Sequence, residues 1–245
     1  MEIKIMTLNI ARFQRWLERK QKLINFIKSE NPDIILLQEV CEDNIDYAFA
    51  NQAEELNKSL NYSFCSYERV TEIKKLYKAE DNGGFMGLAV LSKFPILSSE
   101  LKMLKFYPEN KDKKQQSNQV VSVNLNNKKI SIINVHFENN DKSSKLQLKE
   151  TIDYCKKNHL SSIIAGDFNM IITSDVKEIA GRDYWISYEL KKYISFPPNQ
   201  FSNNRVDITL DYILADKQKF KFDSIKCGPK NLSDHIPVLA EVAFE

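Results

Sequence analysis

Apolar and polar residues alternate from the start of the chain. In Glu2-Ile3-Lys4-Ile5-Met6-Thr7-Leu8-Asn9, the residues Ile3, Ile5 and Thr7 share one face, which is the period of an extended strand. The period then changes. Over 13–28, Phe13, Trp16, Leu17, Leu23, Ile24 and Ile27 recur at helical spacing, with Arg15, Glu18, Arg19 and Lys22 off the stripe. The pattern predicts a helix that Asn31-Pro32-Asp33 ends. Ile34-Ile35-Leu36-Leu37 then runs unbroken into Gln38-Glu39, as in a strand covered on both faces. Strand, helix and strand in this order predict a crossover and layered α/β packing.

The rest of the chain continues this alternation of elements. A helix is predicted over 43–60, packed through Tyr47, Phe49, Ala53 and Leu56, and a strand over 62–70. Residues 71–84 are charged and end in Asn82-Gly83-Gly84, a loop. A strand over 85–91 is halted by Ser92-Lys93-Phe94-Pro95. Residues 102–119 hold no clear period; Lys105, Lys111, Lys113 and Lys114 cluster there with Phe106 and Tyr107. The cluster reads as a solvated loop or as a contact for a substrate backbone. Strands over 120–125 and 129–137 flank Asn126-Asn127, a hairpin signal, and the second carries Asn134 and His136 on one face. A helix over 142–157 presents Leu146, Leu148, Ile152 and Tyr154 or Cys155, with His159 just past its end. Ser161-Ser162-Ile163-Ile164-Ala165-Gly166-Asp167-Phe168-Asn169 reads as a buried strand ending in glycine. Asp167 and Asn169 project to the same side if the extended geometry continues, and start a turn if it does not. Residues 171–192 are mixed, with a short helix predicted near 185–193 and a loop over 196–204. Strands over 210–215, 219–227 and 236–244 complete the chain.

Composition narrows the classes. The 245 residues carry a net charge of only +2, so a nucleic-acid partner would rest on a local patch and not on the overall field. The four cysteines, Cys41, Cys65, Cys155 and Cys227, form no CxxC pair, which argues against zinc sites and disulfide frameworks. The N-terminus lacks the apolar core of a signal peptide, and no apolar run approaches the ~18 residues of a membrane span. No repeat or linker divides the chain. The expectation is a cytoplasmic protein, monomeric, without stable membrane association, with one domain over 1–245.

Several predicted strands end in a polar residue that strand physics does not require: Asn9, Glu39, His136, Asp167 with Asn169, Asp211, and Asp234-His235 before the last strand. Any one of them serves equally as a cap or turn former. Two of the three histidines among them is a combination harder to assign to turns. Hard oxygen donors in small number suit Mg2+ or Mn2+. Histidines with acidic partners suit proton transfer and charge stabilisation on a phosphoryl group. Together they describe metal-assisted hydrolysis of a phosphoester.

The ordered set Thr7-Leu8-Asn9, Leu37-Gln38-Glu39-Val40, Asn134-Val135-His136, Gly166-Asp167-Phe168-Asn169, Asp211-Tyr212-Ile213-Leu214 and Ser233-Asp234-His235-Ile236-Pro237 resembles the endonuclease/exonuclease/phosphatase superfamily, also called deoxyribonuclease-I-like. Gly87-Leu88-Ala89-Val90-Leu91-Ser92-Lys93 fits its central strand. The resemblance spans nearly the whole chain. It implies a four-layer α/β/β/α sandwich of α/β (α+β) class, with the site at one end between the sheets. By the same resemblance Glu39 would bind the metal, with Asn9 and Asp234 completing or supporting that site. Asp167 would orient and activate water, and Asn169 would hold a phosphate oxygen. His235 would act on the phosphoryl group or as general base, its tautomer fixed by Asp211. His136 would donate to a non-bridging oxygen or protonate the leaving group. Asp207 is an alternative partner for His235, and Glu68, Glu72 or Glu80 would orient His136. Selectivity would come from the loops, with Asn203, Asn204 and Arg205 touching substrate. The implied activity is a Mg2+- or Mn2+-dependent phosphodiesterase acting on nucleic acid or a DNA-end adduct. A phospholipid, sphingomyelin or inositol-phosphate substrate, or a non-catalytic binding module on the same fold, are the competing readings.

Overall fold

The computed structural model describes residues 1–42, 51–72, 84–107, 115–198 and 205–244. The chain begins with β1 (Glu2–Asn9), α1 (Trp16–Glu30), β2 (Ile34–Cys41), α2 (Gln52–Leu60), β3 (Phe64–Glu72), β4 (Phe85–Ser92) and β5 (Ile96–Met103). It continues with β6 (Ser117–Leu125), β7 (Lys128–His136), α3 (Asp141–Lys157), β8 (Ser162–Asp167), α4 (Thr173–Ala180) and β9 (Tyr184–Ile186). It closes with α5 (Ser187–Leu190), β10 (Asp211–Asp216), β11 (Phe220–Cys227) and β12 (Val238–Phe244).

Two six-stranded mixed sheets form, in the orders β11-β12-β1-β2-β4-β3 and β5-β6-β7-β8-β10-β9. Strand alternation sends one set of side chains into the gap between them. Ile3, Ile5, Ile34 and Leu36 of the first sheet meet Ile130, Ile132, Ile163, Ala165 and Ile213 of the second. The opposite set faces helices. Met6, Leu8, Ile35 and Leu37 pack with Leu23, Ile24 and Ile27 of α1 and Leu56 of α2. Ile133, Val135 and Ile164 pack with Leu148 and Ile152 of α3 and Val176 of α4. The layering is α/β/β/α, as the resemblance implies.

Departures from the sequence pattern have local causes. The helix predicted over 13–28 begins at Trp16, and Leu17 is 67% exposed while Arg19 is 2% exposed, the reverse of the predicted stripe. Leu146 also faces outward. The strand β5 is an edge strand, wet enough on both faces that no alternation marks it. The mixed segment 171–192 holds α4 and then β9, with α5 shorter than predicted. Tyr47 and Phe49 lie outside the described residues, and α2 is described from Gln52. Asn126 and Asn127 both take positive φ, 50° and 69°, as a two-residue hairpin of primed type requires.

Gly166 marks the tightest crossing. It sits at φ 150° beside Val135 in the parallel β7–β8 pair, and a Cβ there would come within 1.9 Å of the Val135 carbonyl oxygen. We therefore expect Gly166→Ala to cost about 3 kcal/mol or more, since backbone must move. A urea-unfolding midpoint unchanged from wild type would refute this.

Candidate active site

The site is assembled by strand register. On adjacent strands, His136 of β7 pairs with Asp167 of β8, which pairs with Asp211 of β10. All three lie on the face whose earlier positions, Ile132, Ala165 and Ile213, fill the gap between the sheets. Period-2 alternation therefore carries them into the same gap at its open end. Across the gap Asn9 pairs with Gln38 on β1 and β2.

Glu39 arrives by a different route. The β2–β4 register runs Leu37↔Ala89 and then Val40↔Gly87, so Gln38 and Glu39 oppose a single residue, Leu88. This β-bulge puts Glu39 at φ 53°, a strained conformation for a non-glycine residue. Simple alternation would aim Gln38 and Glu39 to opposite faces. With the bulge both reach inward. The Gln38 amide donates to Asn134 Oδ1 at 2.7 Å and to Thr7 Oγ1 at 3.0 Å. Glu39 Oε1 accepts from Asn9 Nδ2 at 3.3 Å and lies 3.9 Å from His136 Nε2.

Asp167 is the centre of the cluster. Its Oδ2 accepts from Asn9 Nδ2 at 3.1 Å and stands 3.7 Å from Nε2 of both His136 and His235. Its Oδ1 accepts from the backbone N–H of Asn169 at 3.0 Å, so Asp167 starts a turn as well as facing the gap. His235 Nδ1 is 2.8 Å from Asp211 Oδ2, a pairing that holds the ring tautomer with Nε2 toward the cluster. Ser195 Oγ accepts the N–H groups of Leu210 and Asp211, and Ser233 Oγ donates to the Asn9 carbonyl. The incoming segment before β12 is thereby tied to β1 and β10.

The loop after β1 is held by Arg19. Its buried guanidinium donates to the carbonyls of Ile10, Ala11, Arg12, Gln14 and Leu232. Gln52 adds a bond to the Arg12 carbonyl at 2.9 Å. These bonds hold Ala11 and Arg12 left-handed, at φ 53° and 50°. Arg12 Nε then rests 3.3 Å from Glu39 Oε2.

Charge balance follows from burial. Burial raises the Asp167 pKa, and neighbouring Asp211 adds to this, against the pull of His235 and His136. Burial also raises Asp234, reinforced by Glu39. For Glu39 burial is outweighed by His136, Arg12 and Asn9, and its carboxyl is held below the usual range. For His235 burial is outweighed by Asp211, Asp167 and Asp234, which keep the imidazolium well above its ordinary pKa.

Asn9, Glu39, His136, Asp167, Asp211 and His235 thus converge, and Asp234 sits within electrostatic reach of Glu39 and His235. Asn169 follows at the turn, at φ 50°, its Nδ2 donating to the Phe137 carbonyl at 2.9 Å. Of the predicted substrate contacts, Asn203 and Asn204 fall outside the described residues, and Arg205 is exposed. So do Lys111, Lys113, Lys114 and Glu80. Asp207 is exposed, and Asp211 holds the histidine. Glu68 accepts from Ser99 Oγ at 2.8 Å. Sequence reasoning assigned no role to Arg12, Arg19, Gln38, Asn134, Ser195 or Ser233. Gln38, Asn134 and Ser233 stand inside the quoted motifs; the others carry no sequence signal beyond polarity.

Four carboxylates and an asparagine at one end of the gap, with no thiol, suit a hard divalent cation. Asp167, Asp211 and His235 bring their polar atoms within 4.8 Å of one another, and with His235 held as the imidazolium the two carboxylates are the atoms of this group that suit a metal. Asp211 Oδ1 is a buried oxygen with no hydrogen-bond partner among the described residues, and so has lone pairs to offer a cation or a donor.

A family model described as the endonuclease/exonuclease/phosphatase family matches residues 6–235. Similar solved structures include an endonuclease/exonuclease/phosphatase family protein from Leptotrichia buccalis, at 18% identity and TM-score 0.77, covering 99% of this chain and 100% of that one. The endonuclease/exonuclease/phosphatase from Bacteroides vulgatus is 18% identical with TM-score 0.75, covering 100% of both chains. A humanized D. rerio TDP2 is 16% identical with TM-score 0.69, covering 99% of both chains. At these identities the neighbours establish the fold. No curated protein matches by sequence.

His235 provides a test of the pairing. Its raised pKa means that the folded protein gains stability from the imidazolium fully below the unfolded histidine pKa, and loses that gain as pH climbs through the raised folded value. Asp211→Asn removes the contact carboxylate, so the titration midpoint of His235 moves down and the stability advantage at low pH shrinks. Histidine NMR titration reads the first effect and unfolding against pH the second. An unmoved His235 midpoint would rule the pairing out.

Proposed function

Because the chain belongs to the endonuclease/exonuclease/phosphatase family, whose members are generally phosphoric ester hydrolases, we propose that it is a Mg2+- or Mn2+-dependent phosphodiesterase acting on nucleic acid or a DNA-end adduct. The observation that carries this reading is Asp167, buried between two imidazole Nε2 atoms and an asparagine amide.

In this reading Asp167 takes a proton from the attacking water. Its raised pKa makes it a better base than an exposed aspartate. Asn9 keeps its carboxylate aimed through the 3.1 Å bond. His235, held protonated through Asp211, donates from Nε2 to a phosphoryl oxygen and offsets charge that builds there. His136 presents Nε2 on the other side of Asp167, to a non-bridging oxygen or the leaving group. Asn169 uses one amide hydrogen on Phe137, and its second is available to a phosphate oxygen. Glu39 and Asp234 would hold the metal, with Asn9 supporting that site by donating Nδ2 to the Glu39 carboxylate. When bound, a divalent ion supplies Lewis-acid polarisation of the phosphoryl oxygen.

Substrate class rests on the family and on Lys105, exposed at the foot of the lysine cluster. The protein would act as a cytoplasmic monomer without stable membrane association; no helix among the described residues is long and apolar enough to cross a membrane. Its cysteines are free among the described residues. One observation favours a second substrate class. Ile171 and Ile172, just past the Asp167 turn, are 57% and 48% exposed, and Val206 is 61% exposed. Exposed apolar side chains so near Asp167 and Asp211 in the chain suit the apolar portion of a phospholipid or sphingomyelin.

A panel of DNA, RNA, phospholipid and inositol-phosphate esters with Mg2+, Mn2+ or EDTA separates these. Turnover of nucleic acid that EDTA abolishes is expected. Asp167→Asn and Glu39→Gln should each lower kcat by about a thousandfold. Full activity in either variant would refute the assignment, and binding without turnover on every ester would favour a non-catalytic module.

A further inference from the structure

The strands that carry Asp167 and Asp211 also have a far end. Ser162 opens β8 there and Asp216 closes β10, roughly 17 Å from the carboxylate cluster at about 3.3 Å per residue. A cleft of about 310 Å3 lies at that end, lined by Lys156, His159, Arg182, Lys217 and Lys219. Its acidic lining is Asp183 and Asp216. Four fixed cations therefore face two carboxylates, an excess equal to the +2 carried by the entire chain.

The competing explanation for basic residues here is local. Two helices end at the cleft, α3 at Lys157 and α4 at Ala180. Their C-terminal carbonyls together amount to about one negative charge, less than the excess. Two cations are committed locally, one to a carboxylate and one to a helix-end carbonyl. Lys156 Nζ pairs with Asp183 at 2.6 Å, and Lys217 Nζ donates to the Gly181 carbonyl while resting 4.8 Å from the centre of the Trp185 ring. Asp216 Oδ1 accepts from the Gln218 N–H at 2.9 Å. The side chains of Arg182, Lys219 and His159 have no hydrogen-bond or ion-pair partner among the described residues. His159 is moreover held left-handed, at φ 51°, with its N–H bonded to the Lys156 carbonyl. The buried hydroxyl of Tyr184, fixed by Ser162 Oγ at 2.7 Å, supports the cleft from below.

We propose that this cleft is a second, non-catalytic anion site that takes a small phosphate-bearing ligand of diphosphate size. A guanidinium fork beside ammonium groups matches the oxygens of such a ligand. The volume lies at the lower end for small-molecule pockets. The site is independent of the hydrolytic reading, because none of its residues belongs to the Asp167 cluster.

Trp185 supplies the readout. It is 45% exposed and in contact with Lys217, while the other tryptophan, Trp16, is 3% exposed. Inorganic pyrophosphate is titrated into the protein in EDTA at low salt while tryptophan fluorescence is followed. Wild type and Asp167→Asn should show the same saturable change. Arg182→Ala/Lys219→Ala, altered only at exposed positions, should bind about tenfold more weakly, and Trp185→Phe should lose the signal. Equal affinity in the double variant, or binding lost in Asp167→Asn, would overturn the proposal. So would a short thymidine oligonucleotide that binds through Arg182 and Lys219 where pyrophosphate does not, since the cleft would then be a nucleic-acid contact.

Discussion

The side chain of Asn134 bridges the two sheets where the hydrophobic gap gives way to the polar cluster. Its amide reaches from β7 to the carbonyls of Leu37 and Ala89 on β2 and β4, at 3.0 and 3.1 Å, and its oxygen accepts from Gln38. Gln119 of β6 joins the same group through its Oε1 at 3.2 Å. Apolar packing alone tolerates sliding of one sheet on another, because it has no direction. Buried amides do not, since any slip leaves donors and acceptors without partners in a dry interior. The polar layer thereby fixes the offset between Glu39 and Asn9 on one sheet and His136, Asp167 and Asp211 on the other.

That fixed offset is what makes the electrostatics of the cluster sustainable. Bringing Glu39, Asp167, Asp211 and Asp234 together at one end of a buried gap works against both desolvation and mutual repulsion. Asn9 offsets part of this by donating to two of the carboxylates, Arg12 by standing against Glu39, and His235 by its own charge. Arg19 contributes at one remove, because the left-handed loop that delivers Arg12 is shaped by the five carbonyls it gathers. A folded protein keeps such an arrangement only where rigid neighbours over-determine it.

Much of this was legible in the residues. Period-2 alternation in β1, β7 and β8 places Asn9, His136 and Asp167 on inward faces, and the helical stripe of α1 identifies its core side through Leu23, Ile24 and Ile27. The illegible parts are those where a residue's role depends on chain segments far away. Arg19 reads as a solvent-facing cation because its nearest sequence neighbours give no sign of the Leu232 carbonyl, two hundred residues on, that it meets. The edge strand β5 hides because it has no dry face to imprint a pattern. Spacing leaves Asn169 either on the side of Asp167 or in a turn that Asp167 starts; the turn is what forms, with Asn169 at φ 50° and its amide bonded to Phe137.

The bulge at Gln38-Glu39 shows how little sequence such a site needs beyond ordinary strands. A regular β2 would send one of the two side chains into the helix layer among Val40 and Cys41. One surplus residue in one strand is enough to recruit a carboxylate from the wrong side of a sheet. Anyone transplanting this constellation onto another pair of sheets must therefore copy an insertion as well as a set of side chains, because residue identities alone would leave the glutamate facing oil.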